Sequence, residues 1–246
     1  MYNAAFAALG LEAVYVAIDV ARGGLADLMG GFAAAGISGN VTVPHKVAVA
    51  KLVNRKTDLA GELDSVNTFW TEDGELVGDN TDVGGVLDAL EYVDASGPWL
   101  VAGTGGSARA VAAAARQASV TLLVQSRDAK RAADFVAWAR GVGVDALGDD
   151  GRPIETAINA TPLGLQPGDP APIAPERLEG CTAALDLVYA PGETEWCAAL
   201  RSRSMRVVDG RHVLVGQGAR AFERFYPDIS PPREIMQAAV DRALTP

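Results

Sequence analysis

The chain has 246 residues, 49% of them hydrophobic and 21% charged, which suits one large or two modest soluble globular domains and excludes a disordered chain. A formal net charge of −10 excludes nucleic acid as a partner, because a phosphate backbone is met by an excess of Lys and Arg. The two cysteines, Cys181 and Cys197, have no metal-ligand spacing and read as reduced thiols of a cytoplasmic protein; the apolar start lacks a basic leader and is broken at Glu12, so no metal, targeting segment or membrane span is expected.

In chain order, the first third alternates β-branched runs with helical stretches. A strand is predicted over 14–18, a helix over 25–35, a strand over 40–43 and a helix over 45–53. A hairpin follows over 65–70 and 76–78, turning at Glu72-Asp73-Gly74, whose Asp-Gly pair suits a tight turn. The small polar stretch 94–98, with Gly97 and Pro98, is the predicted domain boundary. A strand over 99–102, a glycine turn, an Ala-rich helix over 107–118 and a strand over 120–125 then read as the opening βαβ of a dinucleotide-binding fold. Strands near 157–159, 184–188 and 206–209 would complete its sheet. Beyond Gly210 the chain reads as two helices separated at Ser230-Pro231-Pro232.

Gly103-Thr104-Gly105-Gly106-Ser107-Ala108 fits G-x-G-x-x-G/A between a strand and a helix. Its first glycine allows the tight turn, its second lets backbone approach a pyrophosphate, and the helix N-terminus offers free N–H donors. About 20 residues on, where NAD-binding folds place an acidic residue against the ribose, this chain reads Ser126-Arg127-Asp128-Ala129-Lys130-Arg131. A guanidinium there can grip a 2′-phosphate bidentately, so Arg127 and Arg131 favour NADP over NAD. The same residues also read as a solvated basic helix start, and Asp128 could bond a ribose hydroxyl and would repel a phosphate.

Outside this unit, Pro44 suits a helix opening and puts Lys46 in the first turn, where a cation is disfavoured. Its ammonium is thus either kept for function or simply exposed. Asp82 opens a helix and reads either as a functional carboxylate or as an N-cap. Asn40, Asn67 and Gln217 carry amides that donate and accept at once, suited to a polyhydroxylated ligand, and Thr42 and Tyr189 can do likewise. Taken singly, each is also an ordinary turn or strand-end residue. His45 and His212 are given no role.

Together these stretches resemble the shikimate dehydrogenase family along essentially the whole chain. The motifs are Asn40-Val-Thr-Val-Pro-His-Lys46, Val66-Asn-Thr68, Gly78-Asp-Asn-Thr-Asp82, Gly103-Thr-Gly-Gly-Ser107, Asn159-Ala-Thr-Pro-Leu-Gly164, Asp186-Leu-Val-Tyr-Ala-Pro191 and Gly216-Gln-Gly-Ala219. The resemblance implies an α/β fold: a catalytic domain over 1–93 completed by C-terminal helices over 211–246, and a Rossmann-type NADP domain over 94–210. It implies an oxidoreductase that reduces 3-dehydroshikimate to shikimate with NADPH, on the route to chorismate and the aromatic amino acids, as a monomer or homodimer. By the same resemblance Lys46 and Asp82 are the catalytic pair. Asn40, Thr42, Asn67, Tyr189 and Gln217 contact substrate, while Thr161, Leu187, Gly210 and Asp58 line or approach the cofactor.

The chain departs from the family at its start. Members carry a first strand and a Ser-x-Ser that holds the substrate carboxylate shortly before Met-His-Asn, whereas this chain opens Met1-Tyr2-Asn3. The functional protein is therefore expected to be longer, and a sheet lacking that strand to have unpaired backbone groups. The competing readings are a quinate/shikimate or aminoshikimate dehydrogenase, and a non-catalytic NADP-binding regulatory protein.

Overall fold

The apolar runs and glycine turns build two sheets in the computed structural model, which describes residues 1–245. The first part runs α1 (Tyr2–Leu9), α2 (Leu25–Ala35), β1 (Gly39–Asn40), α3 (Lys46–Val49), β2 (Arg55–Lys56), α4 (Asp58–Leu63), β3 (Thr68–Glu72), β4 (Glu75–Asp79) and α5 (Asp82–Tyr92). Its sheet is ordered β1-β3-β4-β2, antiparallel except where β2 joins β4. The expected hairpin is its centre: Asp73 and Gly74 both have positive φ, 52° and 81°, which twists the turn to match the strands.

Three local expectations are corrected. Residues 14–18 are not a strand. Val14, Val16 and Ile18 are 77%, 62% and 54% exposed, and the run has no ladder partner; alternation fixes which way side chains face, but a strand also needs a neighbour to bond. The strand over 40–43 ends at Asn40, after which the chain turns at 42–45. The helix over 45–53 is only Lys46–Val49, continued by turns.

The second sheet is formed by β5 (Trp99–Ala102), β6 (Leu122–Gln125), β7 (Ala146–Gly148), β8 (Thr156–Asn159), β9 (Ala183–Asp186) and β10 (Arg206–Asp209). It is wholly parallel, in the order β10-β9-β8-β5-β6-β7, which is the Rossmann arrangement with its switch point between β5 and β8. Trp99 and Val101 feed the core on one face, Leu100 and Ala102 the core on the other, so every residue of β5 is buried. Helices α6 (Gly106–Ala118) and α5 cover the first face; α8 (Glu195–Ser202) covers the second, and α7 (Ala129–Gly141) follows β6. The core beneath α5 and α6 is continuous across residues 94–98.

Helices α9 (Gly210–Phe225) and α10 (Arg233–Leu244) return to the first part, where Phe222, Ala219, Met236 and Val240 pack on Tyr2, Ala5 and Phe6 of α1. No helix among the described residues is long and apolar enough to cross a membrane. Asp88 of α5 is clamped by Arg220 of α9 at 2.6 and 2.8 Å and by Arg233 of α10 at 3.1 Å. Burial pushes its carboxyl up, but the Arg220 and then the Arg233 guanidinium outweigh this, leaving it below its ordinary value of 3.8. A depressed folded-state pKa stabilises above the unfolded value and loses that contribution as pH falls through the folded one. The gap in unfolding free energy between wild type and Asp88→Asn, measured by urea titration, is therefore expected to be full near neutrality and to close below the ordinary carboxylate range. A gap that does not change with pH would remove the charge from the account.

Candidate active site

Helices α5 and α9 cross where each presents glycine. A Cβ on Gly85 would lie 2.7 Å from the Val213 carbonyl oxygen and 2.9 Å from the Gln217 nitrogen, and one on Gly216 would lie 3.0 Å from Gly85 Cα. The resulting close approach delivers Gln217 to the start of α5. Its Nε2 donates to the Leu214 carbonyl at 3.0 Å, which turns Oε1 toward Asn67 Nδ2 at 3.2 Å.

Asp82 is the first residue of α5; the N-cap position belongs to Thr81, so Asp82 is not the N-cap. Its Oδ2 accepts from Lys46 Nζ at 2.6 Å and its Oδ1 from Asn67 Nδ2 at 2.7 Å, and the Lys46 and Asp82 side chains are each 13% exposed. A carboxylate is favoured at a helix N-terminus. Lys46 starts a four-residue helix whose dipole is short, and it is neutralised by Asp82 instead of facing solvent. Asn67, 2% exposed, has its orientation fixed by the Thr81 backbone N–H, which donates to Oδ1 at 2.8 Å and leaves Nδ2 for Asp82. Thr68 Oγ1 donates to Asn67 Oδ1 at 3.0 Å and accepts from Asn40 Nδ2 at 3.0 Å. Five sequence candidates, Asn40, Lys46, Asn67, Asp82 and Gln217, thus share one hydrogen-bonded cluster.

The cluster faces the glycine loop: a Cβ on Gly106 would sit 3.9 Å from Lys46 Cδ and 4.0 Å from Ser65 Oγ. Gly103 has φ +115°, and a Cβ there would stand 2.7 Å from the Ala160 carbonyl oxygen, so only glycine serves. Gly105 is the N-cap of α6 without a capping side chain, and nothing lies within 4 Å of where its Cβ would be. Ser107 and the fully buried Ala108 continue the first turn, whose N–H donors stay open to an anion. An adjoining cavity of about 350 Å³ is walled by Thr104, Gly105, Arg109, Arg131 and Trp138. These features fit a dinucleotide phosphate. Arg127 is exposed. Ser126 Oγ accepts from the Asp128 N–H at 3.3 Å; Asp128 caps α7 through the Lys130 and Arg131 amides at 2.9 and 3.2 Å and lies 3.8 Å from the Arg131 guanidinium.

At the C-terminal ends of β8 and β9, Asn159 Oδ1 accepts from the Thr161 hydroxyl at 2.7 Å and Asn159 Nδ2 donates to Asp186 at 2.8 Å. Asp186 is fully buried, which pushes its carboxyl up, while Thr194, the Val188 amide and Asn159 hold it by hydrogen bonds. A Cβ on Gly210 would overlap the Leu187 carbonyl oxygen and come within 2.9 Å of Tyr189 Cδ1, so Leu187, Tyr189 and Gly210 are neighbours. Tyr189 is 40% exposed and outside the hydrogen-bonded cluster, as is Thr42, which is exposed and accepts only the His45 amide through its carbonyl. Asp58 is an exposed residue opening α4, a helix that packs against α6. A cavity of about 680 Å³ between the 164–175 loop and α8 is lined by none of the site residues expected from the sequence.

Sequence reasoning missed Thr81, Asn159, Asp186 and Tyr15 as members of these networks. The first three stood inside quoted motifs; Tyr15 gave no signal, because its run reads only as a strand.

Residues 1–69 match the model of the shikimate dehydrogenase substrate binding domain. The shikimate dehydrogenase (NADP⁺) of Moorella thermoacetica is 38% identical over 99% of this chain and 86% of its own length. That of Rubrobacter xylanophilus is also 38% identical, over 98% of this chain and 89% of its own. The crystal structure of shikimate 5-dehydrogenase from Thermus thermophilus with NADP(H) and shikimate superposes with a TM-score of 0.90 at 33% identity, covering 99% of this chain and 93% of that one. The chain belongs to the shikimate dehydrogenase family.

Proposed function

We propose that this chain reduces the ring ketone of 3-dehydroshikimate to the alcohol, reversibly, with NADPH. The observation that carries the reading is the Lys46–Asp82 pair, closed at 2.6 Å, with Asn67 bonded to the carboxylate and the lysine stem against the glycine loop. It is supported by relatives named as NADP⁺-dependent shikimate dehydrogenases and by the Thermus thermophilus structure with NADP(H) and shikimate.

When bound, the dinucleotide supplies the hydride. Reduction builds negative charge on the ketone oxygen; the Lys46 ammonium stabilises it and donates the proton, and Asp82 holds Lys46 in place. Asn40, Asn67 and Gln217, with Thr42 and Tyr189 at the margin, orient the substrate's oxygens. The glycine loop from Gly103 to Ala108 holds the pyrophosphate, Ser126, Arg127 and Arg131 the 2′-phosphate side, and Thr161, Leu187 and Gly210 the nicotinamide side. Asp58, exposed at the start of α4, approaches the cofactor. The substrate unit spans 1–93 and 211–246 and the cofactor unit 94–210, a division supported by the two separate sheets and by the packing of α9 and α10 on α1.

The test is NADPH oxidation with 3-dehydroshikimate, set against NADP⁺ and NAD⁺ reduction with quinate. Turnover of quinate alone would assign the chain to the quinate branch, and turnover of neither would remove the enzymatic reading. Cofactor choice gives a second measurement. Arg127→Ala is expected to lower the NADPH-to-NADH ratio of kcat/KM by roughly 10- to 100-fold, the worth of one hydrogen bond to a charged group. Asp128→Ser keeps the helix cap and removes a negative charge, so the ratio should rise. A ratio indifferent to Arg127 would displace the 2′-phosphate from that residue.

A further inference from the structure

Tyr15 lies in the extended run that pairs with no strand, yet it is held from three sides. Its backbone N–H donates to Asn3 Oδ1 at 2.6 Å, and its carbonyl accepts from Asn3 Nδ2 at 2.9 Å. Its ring stacks on Tyr2 with centroids 4.4 Å apart and planes 28° from parallel. Tyr2 is itself only 4% exposed, with its hydroxyl donating to the Gly218 carbonyl at 3.1 Å, so the platform is anchored on α9. From this support the Tyr15 hydroxyl reaches Asn40 Oδ1 at 3.1 Å.

The direction of the chain that begins there follows from covalent chemistry. The Thr81 backbone N–H can only donate, so the atom of Asn67 that receives it is Oδ1, and Nδ2 must face Asp82. Thr68 then donates to Asn67 Oδ1 and accepts from Asn40 Nδ2, which leaves Asn40 Oδ1 needing a donor. Tyr15 supplies it. Every bond from Tyr15 through Asn40, Thr68 and Asn67 points toward the Asp82 carboxylate, and bonds in such a series polarise one another. One hydrogen on Asn40 Nδ2 serves Thr68, and its second, on the side of the Tyr2 hydroxyl, is the donor that Asn40 can offer to a ligand.

We propose that Tyr15 is a positioning residue of the active site: by donating to Asn40 Oδ1 it holds the amide so that Asn40 presents a donor, not an acceptor, to an oxygen of the substrate. This rests on the proposed reading that Asn40 lies in the substrate pocket. Without the hydroxyl, the amide is free to rotate by half a turn, which would present a carbonyl and reverse the bond to Thr68.

Tyr15→Phe removes the hydroxyl and keeps the ring on Tyr2. The expected result is a KM for 3-dehydroshikimate raised roughly 10-fold, the worth of one hydrogen bond, with a smaller change in kcat and none in the KM for NADPH. Adding Tyr15→Phe to Asn40→Ala should cost nothing further, because residues acting as a unit are not additive. Unchanged KM in Tyr15→Phe, or additive losses, would overturn the proposal while leaving the enzymatic reading intact. A second arm needs no turnover: in protein labelled with ¹⁵N-asparagine, Tyr15→Phe should shift the side-chain amide signals of Asn40 and Asn67 and leave that of Asn159 in place. Signals that stay put would sink the proposal even in an active enzyme. Should wild type reject the keto-acid, the reading of function fails, and shifted signals would still establish the directional chain.

Discussion

Lys46→Ala is expected to lower kcat for 3-dehydroshikimate reduction by roughly 10²- to 10⁴-fold, the usual worth of a positioned proton donor, while the dissociation constant for NADPH changes little. The split follows from where the ammonium is used. Lys46 Nζ is 2.6 Å from Asp82 Oδ2, inside the amide cluster, and only its aliphatic stem lies against the glycine loop. Charge grows on the substrate oxygen as hydride arrives, so the loss belongs to the transition state and should appear in kcat. The truncation also strands Asp82, 13% exposed, without its counter-charge, which should cost stability as well. Asp82→Asn removes the partner that holds Lys46, and the double variant should lose less than the sum of the single losses. Steady-state kinetics together with NADPH fluorescence titration read both quantities. A parallel loss of NADPH affinity would move Lys46 into the cofactor site, and strict additivity would make the two residues independent contacts.

Gly85→Val should be strongly damaging although it lies away from the charged pair. Its Cβ would be 2.7 Å from a backbone oxygen and 2.9 Å from a backbone nitrogen of α9, atoms that no side-chain rotation can move aside. Overpacking of this kind costs about 1–3 kcal/mol and sometimes more, or several degrees of Tm in a chain of this size. Because the nitrogen belongs to Gln217, the helix can yield only by carrying that amide away from Asn67. Substrate KM should therefore rise together with the fall in Tm, with cofactor affinity spared. Gly30→Ala is the contrasting case. Gly30 lies inside α2 with nothing within 4 Å of its would-be Cβ, so alanine should stabilise by about 0.5–1 kcal/mol through helix propensity alone. Thermal melts of the two variants, with KM for the first, decide the matter; a Gly85→Val protein with wild-type Tm would mean that the crossing is not tight.

The sequence by itself determined the features whose cause is local. Residues 99–102 form β5 because four consecutive apolar residues suit a strand covered on both faces, and the glycines that follow allow the turn into an Ala-rich helix. Asp73-Gly74 turns the hairpin because those two residue types tolerate positive φ. The Ser230-Pro231-Pro232 break between α9 and α10 is equally local. Strand β2, two exposed charged residues, has no apolar signature and exists only because β4 offers it a partner. The run 14–18 is the converse, with strong alternation and no partner, so tertiary structure leaves it unpaired. The proposed roles of Lys46, Asp82, Asn67 and Gln217 rest on motif resemblance, since their spacing along the chain says nothing of contact. It was the glycine crossing of α5 and α9 that brought Gln217 to a residue 150 positions away. The orientation of Asn40 and Asn67 was likewise decided only by the fold, because an amide's direction depends on which donors surround it, and those donors come from Thr81 and Tyr15 on separate segments.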